Sequence, residues 1–202
     1  MFRPFRKRST NHGFWQWLAD NTSRLQSAGG DGVSAMAQQI AAAFETEYPD
    51  LKWEISPAKS EPWLFCVSAD GNKELFAKVQ QAVHAAPEIP GWKIQAFRPR
   101  GSLNAVLEMR GRKLGYEDIW CSVEPHSGAY AVTLWIRGLD EETDQLLSGA
   151  ALLLLDNAVG EYDAVTKISQ LNRSPLPPRP KETATFFPLA LLPAYFDALA
   201  EP

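Results

Sequence analysis

Apolar residues near the start of the chain recur at helical spacing. Phe14, Trp15, Leu18 and Leu25 form one stripe. Val33, Met36, Ala37, Ile40 and Phe44 form a second, at i, i+3, i+4, i+7 and i+11. Ala28-Gly29-Gly30 separates the two predicted helices, Asp31 is placed to cap the second, and Pro49 marks its end. The period then changes from helical to alternating. Leu51, Trp53 and Ile55 point one way and Lys52, Glu54 and Ser56 the other, as in a half-buried strand. Trp63–Ser68 reads as a second strand ending at the turn Ala69-Asp70-Gly71. A helix with Leu75, Phe76, Val79 and Val83 on one face follows, and Trp92–Phe97 makes a third strand.

The same order of elements returns further on. After a short strand at Ala105–Met109, a strand is predicted over Glu117–Glu124, a hairpin turn at Pro125–Gly128 and a return strand over Tyr130–Arg137. Asp140 can cap a helix whose first turn carries Glu141, Glu142 and Asp144, the sign that a helix N-terminus favours. Gly160 is read as the end of that region and Tyr162–Leu171 as another strand. The expected class is therefore α+β: two ferredoxin-like strand-strand-helix-strand halves preceded by two N-terminal helices. The expected organisation is a basic leader (1–13), an N-terminal half (14–98), a C-terminal half (99–173) and a Pro-rich joint with a helical C-terminal segment (174–202). Periodicity is equally compatible with two small domains and with one continuous sheet.

Composition narrows the classes. The 202 residues are 45% hydrophobic, and seven Trp and ten Phe exclude a disordered chain. Two cysteines exclude a disulfide scaffold. The longest apolar run, Ala150–Leu155, is far short of the ~20 residues that span a bilayer, so no membrane span is expected. A pI near 5.4 argues against general nucleic-acid binding. The leader holds Arg3, Arg6, Lys7 and Arg8, but Ser-Thr-Asn-His-Gly follows where a signal peptide needs an apolar stretch, so a cytoplasmic address is expected. The leader itself reads as a solvated terminus, or alternatively as an anchor for anionic lipid or RNA.

Chemistry-bearing patterns are few. His12, His84 and His126 lie far apart with no metal-ligand spacing, and Cys66 and Cys121 sit singly in predicted strands. P-loop, Gly-x-Gly-x-x-Gly and Gly-x-Ser-x-Gly motifs are absent, so no cofactor is expected and the balance leans away from an enzyme. The strongest charge feature is acidic. Residues 139–166 carry Asp140, Glu141, Glu142, Asp144, Asp156, Glu161 and Asp163 with no Lys or Arg. Asp140, Glu141, Glu142 and Asp144 are candidates for meeting a basic protein partner. Asp156, Glu161 and Asp163, at an expected helix-to-strand turn, are candidates for a divalent cation; the alternative is a solvated turn. The helix between them is apolar almost all round, which buries it on more than one side or leaves a face for a partner. Strand tryptophans 53, 63, 92, 120 and 135 read as core rather than as base-stacking platforms.

Several segments together resemble an uncharacterised bacterial protein family. They are Phe14-Trp-Gln-Trp-Leu18, Val67-Ser-Ala-Asp-Gly71, Ala86-Pro with Trp92-Lys-Ile-Gln-Ala-Phe-Arg-Pro-Arg100, Leu152-Leu-Leu-Leu-Asp156 with Gly160-Glu-Tyr-Asp163, and Phe187-Pro-Leu-Ala-Leu-Leu-Pro193. The resemblance covers most of the chain from residue 14 and implies no activity, cofactor or site residue. The functional expectation is a non-enzymatic protein-binding protein, of inhibitor, immunity or regulatory type, with an acidic face. The alternative is a metal-dependent enzyme or metal-regulated domain built on Asp156, Glu161 and Asp163.

Overall fold

The computed structural model describes residues 13–27, 29–58 and 62–199, with main chain alone over 29–32. The leader up to residue 12 and the side chain of Asp31 lie outside the described residues. The chain divides into two compact units. One runs to Ala69 and resumes over Leu75–Ala96; the other comprises Asp70–Glu74 and the chain from Phe97 onward.

Aromatic packing builds the first unit. It contains α1 (Phe14–Ser27), α2 (Gly29–Glu47), β1 (Lys52–Ser56), β2 (Trp63–Ser68), α3 (Phe76–His84) and β3 (Trp92–Ala96). The sheet order is β1-β2-β3, with β1 antiparallel and β3 parallel to β2. Phe65, fully buried on the central strand, meets the rings of Phe14 at 5.2 Å, Trp15 at 5.5 Å, Phe44 at 6.0 Å and Trp92 at 6.2 Å. Buried indoles need a partner for their N–H. Trp15 Nε1 donates to Tyr48 Oη and to the Ala82 carbonyl, and Trp92 Nε1 donates to Thr22 Oγ1. At the start of α1 the Phe14 N–H donates to Glu47 Oε2 at 2.6 Å, which gives an orphan helix donor an acceptor.

The second unit packs aliphatic residues under one long helix. A hairpin of β4 (Val106–Met109) and β5 (Arg112–Gly115) comes first. Then come β6 (Ile119–His126), β7 (Ala129–Ile136), α4 (Asp144–Lys167), β8 (Ile168–Pro175), β9 (Phe186–Pro188) and α5 (Leu192–Ala198). The four-stranded sheet has the order β8-β7-β6-β9, and only β7 and β8 are parallel. Both hairpin turns, Arg110-Gly111 and Ser127-Gly128, have two consecutive positive φ angles, the primed geometry that matches strand twist. One sheet face buries Ile119, Cys121, Val123, Val132, Leu134 and Ile136; the residues between them stay half-buried or exposed. The shared core continues through Leu147, Ala151, Leu154 and Ala158 of α4 and Phe196 of α5.

Among the described residues the architecture is mixed α+β with five helices and three small sheets. Strand, strand, helix, strand occurs in each unit. An antiparallel pair is followed by a helix that returns the chain to a strand adjacent and parallel to the second. Two expectations need correction. Residues 162–167 are helical, and the strand read over Tyr162–Leu171 starts only at Ile168. The C-terminal segment from Phe186 opens as β9, paired to β6, before Pro193 enters the first turn of α5. Among the described residues no helix is long and apolar enough to cross a membrane.

Candidate functional site

The reason α4 continues past Gly160 lies sixty residues upstream. Gly160 leaves helical geometry (φ 75°, ψ 158°), and a Cβ there would stand 3.1 Å from both the Arg98 carbonyl oxygen and the Arg100 nitrogen. Only glycine fits that backbone and that space. Glu161 then closes a clamp on the same segment. Its N–H donates to the Arg98 carbonyl at 3.0 Å, and its carboxylate accepts from the Arg98 N–H at 3.0 Å and the Gly71 N–H at 3.3 Å. The side chain is only 1% exposed, and these charge-assisted bonds compensate its burial. Asn157 extends the clamp: its carbonyl accepts from the Gly101 N–H, and its Nδ2 donates to the Ser102 carbonyl and to Tyr116 Oη.

Three arginines answer the acidic run. Arg98 reaches Asp70 at 3.4 Å and Asp156 at 3.5 Å, with Nε 4.0 Å from Glu161. Arg100 bonds Asp163 and, through two nitrogens at 2.7 Å, Asp197 of α5. Asp197, through its hydrogen bonds to Arg100, is held below the usual carboxylate range, while Arg100 is raised by the same pairing. Lys167 adds 3.2 Å contacts to Asp163 and to the Phe196 carbonyl. Arg173 of β8 grips Asp144 bidentately at 2.8 and 2.9 Å, and that hydrogen bonding lowers the Asp144 carboxyl.

The sequence candidates therefore fall in unexpected places. Asp156, Glu161 and Asp163 lie within α4, not at a helix-to-strand turn, and each faces an arginine or backbone donors. Among the described residues no group of three or more His, Cys, Asp or Glu could hold a metal ion. Asp140 forms a reciprocal turn with Thr143: the Thr143 N–H donates to Asp140 Oδ1 at 2.8 Å and the Asp140 N–H to Thr143 Oγ1 at 2.9 Å. That turn lowers the Asp140 carboxyl and precedes α4, which starts at Asp144. Glu141 and Glu142 are exposed beside it. Asp144 is taken by Arg173. A run that is uniformly acidic in sequence is thus largely neutralised in space.

An apolar strip stands out where charge does not. Leu152 (46% exposed), Leu153 (63%) and Leu171 (39%) lie open on α4 and β8. They line a groove of about 460 Å³ with Leu155, Ala164 and Ile168, and Asp156 stands at its rim. Isolated exposed leucines are ordinary; these three are contiguous and lie beside the edge strand β8. Of the strand tryptophans, Trp63 and Trp92 are buried. Trp120 and Trp135 are half-buried on the sheet face away from α4, on either side of Phe186.

Sequence reading missed Arg98, Arg100 and Arg173 as partners of the acidic run. No local window carries that signal, because the pairs are separated by 29 to 63 positions. Gly160 followed by Glu161 was legible as a break, not as a clamp. Segments that carry the family resemblance, Val67–Gly71, Arg98–Arg100 and Gly160–Asp163, meet here: Glu161 bonds Gly71 and Arg98, and Arg100 bonds Asp163. No family model, curated protein or solved structure matches the chain.

Proposed function

We propose that the protein is a non-enzymatic protein-binding protein, of regulatory or inhibitor type, and that its binding surface is the apolar strip of α4 and β8. The observation that carries the reading is the joint exposure of Leu152, Leu153 and Leu171 on one helix-strand edge. An α4 apolar almost all round buries Leu147, Ala151, Leu154 and Ala158 in its own unit and has leucines left over on the opposite side. The acidic contribution to binding is confined to Asp140, Glu141 and Glu142, which stand outside the arginine pairs and steer rather than anchor a basic partner. Membership of the resembled bacterial family belongs to the same proposal, supported by the convergence of its segments on the Glu161 clamp. So does kinship of the halves with ferredoxin-like folds, supported by the hairpin and crossover helix in each. Their adjacent parallel pair differs from a split crossover.

A photo-crosslinking residue at position 153 tests the surface in cells producing the full chain. A stoichiometric protein adduct at 153, absent when the crosslinker sits at the exposed Glu108 on β4, is the expected result. No adduct at 153 overturns the reading.

A further inference from the structure

We infer that the occupant of the strip is a second copy of this chain, joined antiparallel through β8. The inference rests on the protein-binding reading and names its partner. β8 is an edge strand of the sheet, and five consecutive residues, Ser169–Arg173, are exposed. The Leu176 N–H donates to the Ile136 carbonyl on β7. A residue's N–H and C=O point to the same side of a strand, so the even positions face β7 and Leu171 and Arg173 turn theirs to the open edge. Edge strands of this kind are usually blunted along their length by charges, bulges or proline. Here the register shift at Ser169 and the proline at 175 bracket the open segment without interrupting it.

The segment is complementary to itself. Across a two-fold axis at Leu171, each Leu171 exchanges both main-chain hydrogen bonds with its copy. Gln170, whose Nε2 donates to Asn172 Oδ1 within its own strand, comes opposite Asn172 of the other chain, so two uncharged amide pairs face each other. Leu171, paired with Val132 on the helix side, meets its own copy beneath Leu152 and Leu153, so the apolar strip doubles. Charges do not oppose the same register: Arg173, held by Asp144 of its own α4, arrives opposite the neutral Ser169 of the copy. The two Arg173 side chains stay roughly 13 Å apart along the strands, four residues at ~3.3 Å each. The joined sheet has eight strands, within the ~10 that open twisted sheets reach.

Sedimentation of the purified full chain from 1 to 200 µM tests this, with amide hydrogen exchange read on the same samples. The expected result is a concentration-dependent dimer, with protection at Leu171 and Arg173 rising tenfold or more as it forms. Gln170 and Asn172, bonded to β7, are expected to stay protected throughout. Leu153→Lys, at a residue whose side chain faces solvent, is expected to abolish the dimer without shifting the melting temperature measured at 1 µM, where the chain is dissociated. Leu171→Cys is expected to form an intermolecular disulfide on mild oxidation, far faster than Glu141→Cys, because paired Cα atoms there stand ~5.5 Å apart. The native Cys66 and Cys121 are buried and do not compete. A monomer at 200 µM with fast exchange at Leu171 and Arg173 overturns the inference. If position 153 nevertheless crosslinks to a different protein, the protein-binding reading stands and the second-copy inference alone falls. A dimer that survives Leu153→Lys, with Leu171→Cys no faster than Glu141→Cys, also overturns it.

Discussion

The two units share an order of strands and differ in how they fill the space beneath it. In the first, a short central strand is surrounded by rings: Phe14, Trp15, Phe44 and Trp92 all meet Phe65. In the second, the sheet is covered by small and branched aliphatics, Val132, Leu134, Ile136, Ala151, Leu154 and Ala158 among them. Large rings let three short strands and three helices close a core. Aliphatic packing needs more length, and α4 supplies it at 24 residues against nine for α3. A helix that long overreaches the core it covers, which is why the second unit carries a backbone break, a clamp and an apolar strip.

The largest expected effect tests the cores directly. Phe65→Ala, which empties the centre of the aromatic cluster, should destabilise its unit by about 4 kcal/mol in denaturant unfolding, against about 3 kcal/mol for Leu154→Ala in the aliphatic core. Equal losses, or a larger one at Leu154, would erase the proposed difference between the two cores. Next is the break. Gly160→Ala should cost about 3 kcal/mol, since a side chain at φ 75° is strained and its Cβ meets fixed backbone at 3.1 Å. A neutral Gly160→Ala would mean that the break is not imposed by the 98–100 segment.

Glu161→Ala should cost about 2 kcal/mol, because the part-buried Gly71 and Arg98 N–H groups lose their charged acceptor and the buried carboxylate leaves a void. Amide exchange at Gly71 and Arg98 should speed up together; exchange at only one of them would break the clamp into separate contacts. The smallest effect is on acid stability. Asp140, Asp144 and Asp197 have carboxyls lowered in the fold by Thr143, Arg173 and Arg100 respectively. Their stabilising contribution is complete above the ordinary carboxylate pKa of ~4 and is lost as pH falls through the lowered folded values. The second unit should therefore melt at modestly lower temperature below about pH 4, and less steeply so in Asp144→Asn. An Asp144→Asn variant with an unchanged acid slope would remove the Arg173 pair from that account.

Particular residues show how far local pattern reaches. Trp63–Ser68 was readable because one unbroken apolar run bounded by a Gly turn suits a central strand, and β2 has those limits. The Pro125–Gly128 segment reads as a hairpin turn because Gly128 takes a positive φ without steric cost. Tyr162–Lys167 was misread because a glycine ordinarily ends a helix, and only the Arg98–Arg100 backbone restarts it. The acidic run was legible as charge, while its neutralisation was not, since Arg98, Arg100 and Arg173 are far away in sequence.

Hydrophobic period, turn chemistry and composition are properties of short windows, and those windows determine the mixed α+β class, most element positions and the order strand, strand, helix, strand in each unit. Partners of charges, the fate of a glycine break and the exposure of three leucines depend on contacts between distant segments. Those the tertiary structure decided, by bringing three arginines onto an acidic helix and leaving Leu152, Leu153 and Leu171 at an open edge.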